Sequence, residues 1–415
     1  MDFVPQQYKG IFVPQSYKGI PLCGFGQCLS LRWGYSPDCC AALRGVFAMW
    51  RINSLEISNY WPVRLLGGRM RIADQVHVRA LRNLQKVYEL KLLRSLLWLA
   101  LAVFVGFSGV PAAAQSYAYV PTHKSNSVSV INTASSSVVA VVPVGVQPLQ
   151  AAISPDGAFA YITNSGWFLG NLGNNDVSVI STVTNSVVAT IPVGRFPVGV
   201  AFAPNGALAY VANQNSNDVS VINTVTQTTV ATIPVGTNPW GVAVTPNGAF
   251  AYVTNQATND VSVIDTASNS VVATIPVGSN PVGLAITPNG AFAYVANYLS
   301  SSLSVISTAT NTVVGAVSTP TYPIAIAITP DGASAYVATN GDNIVSVIST
   351  ASNTATASVP VGSIPRGVAI TPDGAFAYVS NRMSDDVSVI STATNTVVAT
   401  ISGVALLPEG IAIKP

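Results

Sequence analysis

Few of the side chains that commonly carry out catalysis occur after residue 115. Residues 116–415 contain one histidine, His123, and one glutamate, Glu409, and all four cysteines lie before residue 41. One histidine cannot build a copper or zinc centre with several imidazole ligands, and the many serines lack the histidine that would activate them. We therefore predict no catalytic residue, no metal site and no bound cofactor in this part of the chain. We interpret His123 as a surface residue.

Aspartates recur at one position of the sequence and could bind calcium. Each stands directly before a V-S-V-I segment, with Asn or Asp before it: Asn175-Asp176, Asn217-Asp218, Asn259-Asp260 and Asp385-Asp386. Carboxylate and amide oxygens are calcium ligands. The same side chains also hydrogen-bond their own backbone at the entry to a strand. Because the pair recurs along the chain, we favour the turn interpretation.

These aspartates belong to a repeat that fills the chain after residue 115. One tyrosine marks each copy, and the spacing between successive copies is 42 residues except for one spacing of 49; the tyrosines are Tyr119, Tyr161, Tyr210, Tyr252, Tyr294, Tyr336 and Tyr378. Such a period predicts a repeat architecture.

Each copy predicts four short strands. Pro-Asn-Gly or Pro-Asp-Gly joins the first two, which is a strong hairpin signal. The strands are apolar at nearly every position, so we expect both faces of each sheet to be covered. Seven such units predict an all-β, seven-bladed β-propeller with four-stranded antiparallel blades, the small residues of the G-V-A-V strand lying innermost. An open solenoid would need polar capping repeats, and neither end of the repeat region shows one.

The last segment, GIAIKP at 410–415, begins a copy without completing it. The other three strands of that copy are SYAYVP at 116–121, SVSVIN at 127–132 and VVAVVPV at 138–144. We therefore predict that the ring closes by pairing of its N- and C-terminal strands. The residues expected at this closure are Tyr119, Val120, Ile411 and Ile413.

The strings AYVTN at 251–255, AYVAN at 209–213 and 293–297 and AYVSN at 377–381, with the P-[DN]-G turn, resemble the YVTN-repeat β-propellers. These are known from archaeal and bacterial surface-layer and other secreted proteins. The resemblance covers essentially all of 116–415 and implies the propeller fold, but it implies hardly any activity. Some enzymes have similar propellers: a copper reductase domain, quinone-dependent amine dehydrogenases and lactonases. A lactonase-like site would need carboxylates that meet at the axis on one metal.

A segment before the repeats predicts export. Residues 91–114 contain Lys91 and Arg94, an apolar run and Ala112-Ala113-Ala114, the order of a signal peptide. We expect three regions: an N-terminal extension over 1–90, disordered or a gene-model artefact with translation starting near Met70; the signal peptide over 91–114; and the propeller over 115–415. An uncleaved segment over 95–111 would instead anchor the protein in a membrane.

Charge separates the two parts of the chain. Residues 1–115 carry 13 basic and 5 acidic side chains, whereas residues 116–415 carry 5 basic and 11 acidic ones. An acidic repeat region offers no basic surface to phosphate backbones. We predict no nucleic-acid partner.

The loops before the innermost strand differ between copies, and one loop between the second and third strands contains the insertion SGWFLGNLG at 165–173. In an up-and-down blade these loops share one face of the ring. Aromatic side chains with arginine are typical of binding hot spots; the alternative is that they close the channel mouth by packing. The candidate binding residues are Trp167, Phe168, Leu169, Arg195, Phe196, Trp240, Tyr322 and Arg366.

Together these patterns predict an exported, non-enzymatic propeller that binds, adheres or serves as a scaffold at the cell surface or in the periplasm. Its partner would be a protein or a glycan on the loop face. The alternative is a lactonase-like or redox-linked enzyme with a metal on the propeller axis.

Overall fold

The computed structural model describes residues 116–168, 171–172 and 175–415. The predicted extension over 1–90 and the signal segment over 91–114 lie outside the described residues. Where the structure describes the chain, no helix is long and apolar enough to cross a membrane.

Seven four-stranded sheets make up the ring, and in each the neighbouring strands are antiparallel. We name the strands A to D from the axis outward. The A strands are Pro148–Ile153, Pro197–Phe202, Pro239–Val244, Pro281–Ile286, Pro323–Ile328, Pro365–Ile370 and Ala412–Ile413. The B strands are Tyr117–Thr122, Phe159–Asn164, Leu208–Asn213, Phe250–Asn255, Phe292–Asn297, Ser334–Thr339 and Phe376–Asn381. The C strands are Ser127–Asn132, Asp176–Ser181, Asp218–Asn223, Asp260–Asp265, Ser302–Ser307, Ile344–Ser349 and Asp386–Ser391. The D strands are Ser137–Pro143, Ser186–Pro192, Thr228–Pro234, Ser270–Pro276, Thr312–Ser318, Thr354–Pro360 and Thr396–Ile401.

The predicted seven-bladed, all-β propeller is therefore confirmed. We number the blades 1 to 6 by their A strands from Pro148–Ile153 to Pro365–Ile370. Blade 7 takes its A strand, Ala412–Ile413, from the C-terminal end and its other three strands from residues 117–143. The insertion adds a small hairpin to blade 1, in which Trp167–Phe168 pairs with Asn171–Leu172.

Glycine lets the A strands crowd around the axis. A Cβ on Gly199 would lie 2.5 Å from the carbonyl oxygen of Trp240 in the next blade, and a Cβ on Gly241 would lie 2.6 Å from that of Val282. Side chains at these positions would force neighbouring blades apart.

The hydrophobic core lies between successive blades. The seven repeat tyrosines of the B strands are at most 1% exposed. One cluster, for example, joins Tyr119, Val128 and Val130 of blade 7 to Ala160 and Ile162 of blade 1. Because every blade packs on two neighbours, the apolar B and C strands are buried on both faces.

The D strands differ from the prediction that both faces of every strand are covered. Val188, Val230, Val272, Val314 and Val398 are all at least half exposed. The D strand is the outer edge of its blade, so it lies beyond the reach of the next blade. Its valines follow the β propensity of the strand rather than its burial.

Hydrogen bonds close blade 7 around the two ends of the repeat region. The backbone pairs Ala118 with Ile413 and Tyr119 with Ala412. The amide of Glu409 donates to the Pro121 carbonyl at 2.9 Å. The predicted closure residue Tyr119 is fully buried, and Ile411 is buried in the cluster between blades 6 and 7.

In most blades the repeated tyrosine hydrogen-bonds to the next blade, although the Tyr210 hydroxyl has no partner among the described residues. The Tyr252 hydroxyl donates to the Asn311 amide oxygen at 2.6 Å, and Tyr336 does the same to Asn395 at 2.6 Å. The last tyrosine, Tyr378, donates to the carbonyl of Thr133 in blade 7. This bond adds to the closure of the ring.

The residues that follow the tyrosine also have structural roles. The Thr254 hydroxyl donates to the Val282 carbonyl of the next A strand at 2.6 Å. The Asn255 amide donates to Asp260 at 2.6 Å and to Ser262 at 2.9 Å within its own blade. The Y-V-T-N string therefore joins B to C and one blade to the next.

Candidate functional site

The loop face is the face at which the A strands begin. Each A strand is preceded by a residue in the left-handed backbone region; a proline follows, and then a residue that we call the mouth position. In blade 7 the proline and the mouth position come before the strand itself. The mouth positions of blades 1 to 7 are Leu149, Val198, Trp240, Val282, Ile324, Arg366 and Glu409. Five of the seven are apolar, and the two charged ones are in adjacent blades.

The residue before each of these prolines has a positive φ, between 52° and 59°. Asparagine, which tolerates this conformation, occupies it in two blades as Asn238 and Asn280, whereas Ile364 holds it with φ 52° in blade 6. The backbone amide of Ile364 donates to Asn343 at 2.8 Å, which locks the loop. A β-branched residue with positive φ is strained.

We predict that Ile364→Asn stabilises the protein by about 1 kcal/mol, because asparagine adopts the left-handed region at lower cost. The midpoint of urea unfolding of the full chain measures the change. Asn280→Ile in blade 4 is the matched reverse substitution, and it should lower the midpoint by a similar amount. No change in either variant would contradict the strain assigned here.

An axial cavity of about 130 Å³ opens behind the loop face. Its wall consists mainly of glycine and aliphatic residues of the A strands, with Trp240 at the mouth. Gln150 supplies the one side-chain amide of the lining, which contains no carboxylate and no imidazole. Within the described residues, no three His, Cys, Asp or Glu side chains come together as a metal site.

The candidate residues of the loop face have different environments. Arg195 is exposed and Phe196 is half-buried. Tyr322 is 42% exposed and stacks on Tyr298, with ring centroids 4.8 Å apart. Trp240 is half-buried against the core between blades 4 and 5 and lines the cavity.

The insertion is described in part. Trp167 and Phe168 form one strand of its hairpin. Leu169 lies outside the described residues. The binding role of these three residues stays a prediction.

Arg366 is held in an ion cluster. Its Nε donates to Glu409 Oε2 at 3.1 Å, and the Nε of Arg382 lies 2.7 Å from Glu409 Oε1 without the alignment of a hydrogen bond. Glu409 is buried, and burial raises the pKa of its carboxyl while the two guanidinium groups act in the opposite direction. The cluster joins the start of the closing strand to blade 6.

His123 lies beside this cluster and is not the surface residue that its sequence context suggested. Its ring is half-buried, and the buried Nδ1 has no hydrogen-bond partner among the described residues. Burial, and after it the positive charges of Arg382 and Arg366, together lower the pKa of His123 to about 4. The imidazole is therefore neutral at pH 7.

This shift predicts a loss of stability in acid. The pKa of His123 is depressed in the folded state, so the unfolded chain binds more protons below its ordinary value of 6.5. The neutral ring contributes fully above pH 6.5, and the contribution falls as the pH drops toward 4. His123→Gln, the residue found at the equivalent Gln214 and Gln256, should flatten the pH dependence of the urea midpoint over this range; an unchanged slope would contradict the assignment.

The repeated aspartates accept structural hydrogen bonds. Asn164 donates to Asp176 at 2.6 Å, and the same bond joins Asn213 to Asp218. The asparagine before the aspartate bonds to the loop that precedes the next A strand: the Asn175 side-chain oxygen accepts from the Phe196 backbone amide at 2.9 Å. This arrangement favours the turn interpretation over a ring of calcium sites.

Several residues of the loop face were not predicted as site residues. Leu299 and Met383 are exposed in B–C loops, and Arg382 and Tyr298 are their neighbours. Blades 2 and 3 have glutamine where these loops have Tyr298 and Arg382, and Gln214 donates to Gln256 at 2.9 Å. Aligning the B–C loops of the seven copies would have revealed both departures.

The chain and its fold match known proteins. The family model described as Lactonase, 7-bladed beta-propeller, matches residues 110–233 and 308–404, more than half of the chain. The chain therefore belongs to this family. The comparison with curated proteins found no match.

Solved structures show the same architecture. A chain of Kuenenia stuttgartiensis hydrazine synthase is 26% identical, with a TM-score of 0.59, over 65% of this chain and 91% of that one. A functionally unknown protein from Desulfotomaculum acetoxidans is 21% identical, with a TM-score of 0.63, over 72% of this chain and 98% of that one. The second likeness concerns the fold alone.

Proposed function

We propose that this member of the Lactonase propeller family is an exported, non-enzymatic binding module that holds a protein or glycan on its loop face. The observation that supports this most is where the copies differ. The strands and the turns of the opposite face repeat with few changes, whereas the mouth positions and the B–C loops vary between blades, from aliphatic side chains such as Leu149 to Trp240 and Arg366. Variation confined to loops on a rigid scaffold is typical of binding surfaces.

We infer that the chain is of the YVTN-repeat kind within that family. The hydrogen bonds of Tyr252, Thr254 and Asn255 give the tyrosine, threonine and asparagine of the motif structural roles. Export is supported by the order of basic, apolar and small residues over 91–114.

Lactone hydrolysis is the second candidate, because the family to which the chain belongs is described by that activity. Such an enzyme needs a group that activates water next to the carbonyl carbon. The described wall of the axial cavity offers the Gln150 amide for polar contacts. An amide is a poor general base, which favours binding over hydrolysis.

Two assays on the full chain separate the candidates. We expect no hydrolysis of γ-butyrolactone or δ-valerolactone above the rate in buffer. On glycan and peptide arrays we expect binding that falls at least tenfold in Tyr322→Ala and Trp240→Ala, with unchanged binding in Val225→Ala on the opposite face. Lactone turnover by the purified chain, with no binding on either array, would overturn the proposal.

A further inference from the structure

One sector of the channel mouth departs from the repeat. Around the ring, the mouth position is aliphatic or tryptophan in blades 1 to 5 and charged only at Arg366 and Glu409. At the next position along the A strand, five blades have glycine and one has Ala325, but blade 1 has Gln150. Blades 6, 7 and 1 are adjacent, so these polar residues share one side of the mouth.

Two residues at the ends of B strands complete this sector. Arg382 follows the B strand of blade 6 and His123 follows that of blade 7. We define the polar sector as His123, Gln150, Arg366, Arg382 and Glu409. With His123 neutral, its formal charge at pH 7 is +1.

The guanidinium groups keep hydrogen-bonding capacity beyond their contact with Glu409. Each approaches the carboxylate through Nε. Their side chains are 20% and 29% exposed, and no hydrogen bond joins either Nη group to another described residue. Arginine presents five donors, so both side chains can bind a further anion at these terminal nitrogens.

Closure of the ring does not by itself require this cluster. Aliphatic residues fill the mouth position in blades 1, 2, 4 and 5 and are buried there. Burying an ion pair costs desolvation that an apolar contact avoids, and apolar replacements are often at least as stable. The cluster therefore adds something that packing alone does not supply.

A cavity lies next to the polar sector, and more of its accessible surface is polar than apolar. The cavity is lined by residues at the mouth positions and the next two positions of the A strands, including Gln150, Gly367 and Ile411 beside the sector. Its 130 Å³ is several times the roughly 10–15 Å³ that one water needs, and most of the side chains around it are aliphatic. It has room for a short aliphatic group.

We propose that the polar sector and this cavity form a binding site for a monoanionic carboxylate on a short apolar group. The inference rests on the proposed binding function, since it names the ligand chemistry at the loop face. The carboxylate accepts hydrogen bonds from the Nη groups of Arg366 and Arg382, whose excess charge it neutralises. The apolar group enters the cavity, against its aliphatic side chains.

Two sources carry this chemistry: a free organic acid and the C-terminus of a peptide. Isothermal titration of the full chain with hexanoate, 1-hexanol and acetate tests the shared chemistry. We expect hexanoate to bind at least tenfold more tightly than either of the others. Equal binding of 1-hexanol, or no detectable binding of hexanoate, would overturn the inference.

Arg382→Gln tests the sector directly, because the equivalent residues Gln214 and Gln256 are compatible with the fold. We expect at least tenfold weaker hexanoate binding. Lys124→Gln, which removes one positive charge from an exposed position of the same face, should stay within twofold of the unsubstituted chain. Equal losses in both variants would show a general charge effect and refute the site.

Salt gives a test that needs no variant. Raising NaCl from 50 to 500 mM should weaken hexanoate binding several-fold and leave 1-hexanol unaffected. A salt-independent hexanoate affinity would contradict a role for the arginines.

A pentapeptide ending in leucine, as free acid and as amide, distinguishes the sources. A free acid that binds tenfold more tightly than hexanoate assigns the site to peptide C-termini, and weaker binding assigns it to organic acids. If the chain binds a partner on the arrays but does not prefer hexanoate over 1-hexanol and acetate, the carboxylate site is refuted and the proposed binding function stands. If the chain prefers hexanoate but binds nothing on the arrays, the proposed protein or glycan partner is refuted and the carboxylate site stands.

Discussion

Glu409→Gln is expected to lower the free energy of unfolding by about 3 kcal/mol. The substitution leaves Arg366 and Arg382, which are largely buried, without a compensating charge, and removing one member of a buried ion pair is strongly destabilising. Glu409 stands at the start of the closing strand, and the substitution leaves its backbone hydrogen bonds to Pro121 and Ser380 in place, so the loss reports on the side chain. Urea unfolding of the full chain measures the loss.

The control for this experiment replaces the pair as a unit. Glu409→Leu combined with Arg366→Leu gives both mouth positions the residue found at Leu149. We expect the double variant to recover at least half of the stability lost in Glu409→Gln. A Glu409→Gln chain within 0.5 kcal/mol of the original would contradict the role of the cluster at the closure.

Tyr336→Ala is expected to cost about 4 kcal/mol, the range for deleting a large aromatic side chain from a core. Tyr336 is 1% exposed, and its hydroxyl donates to Asn395 in blade 6. Tyr336→Phe should cost about 1 kcal/mol, because it removes that hydrogen bond alone. The denaturation midpoints of the two variants separate packing from hydrogen bonding.

Tyr322→Ala is the matched control, since Tyr322 is a tyrosine of the exposed loop face. It loses its stack on Tyr298, so we expect a cost of about 1 kcal/mol. If Tyr322→Ala proved as destabilising as Tyr336→Ala, Tyr322 would belong to the packing of the ring and not to a binding surface.

The fold followed from the sequence because each blade repeats the same local signals. The Pro-Asn-Gly turns contain glycine with φ near 73°, as at Gly248. Each B strand buries its tyrosine in the interface with the next blade, as Tyr119 and Tyr252 do. Prediction failed at the outer edge. The apolar sequence SVVATIP would suit a buried strand as well as an exposed one. Val272 is exposed because this strand is the outermost of its blade.

The ion cluster could not be predicted from local pattern. His123 and Glu409 are separated by most of the repeat region and meet only because the ring closes. Arg366 was predicted as a binding residue on composition, and the structure adds that its Nε is bound to Glu409. The residue that pairs with a charged side chain here comes from the loop of another blade. A single repeat therefore does not contain both members of the ion pair.

Binding at the loop face is tested most directly by site-specific cross-linking. A photoreactive phenylalanine derivative would replace Tyr322 on the loop face, or Val225 on the opposite face, in the full chain made by its own host. We predict a discrete cross-linked partner from position 322 and none from position 225. Cross-links from position 225 alone would contradict binding at the loop face and place it on the opposite face.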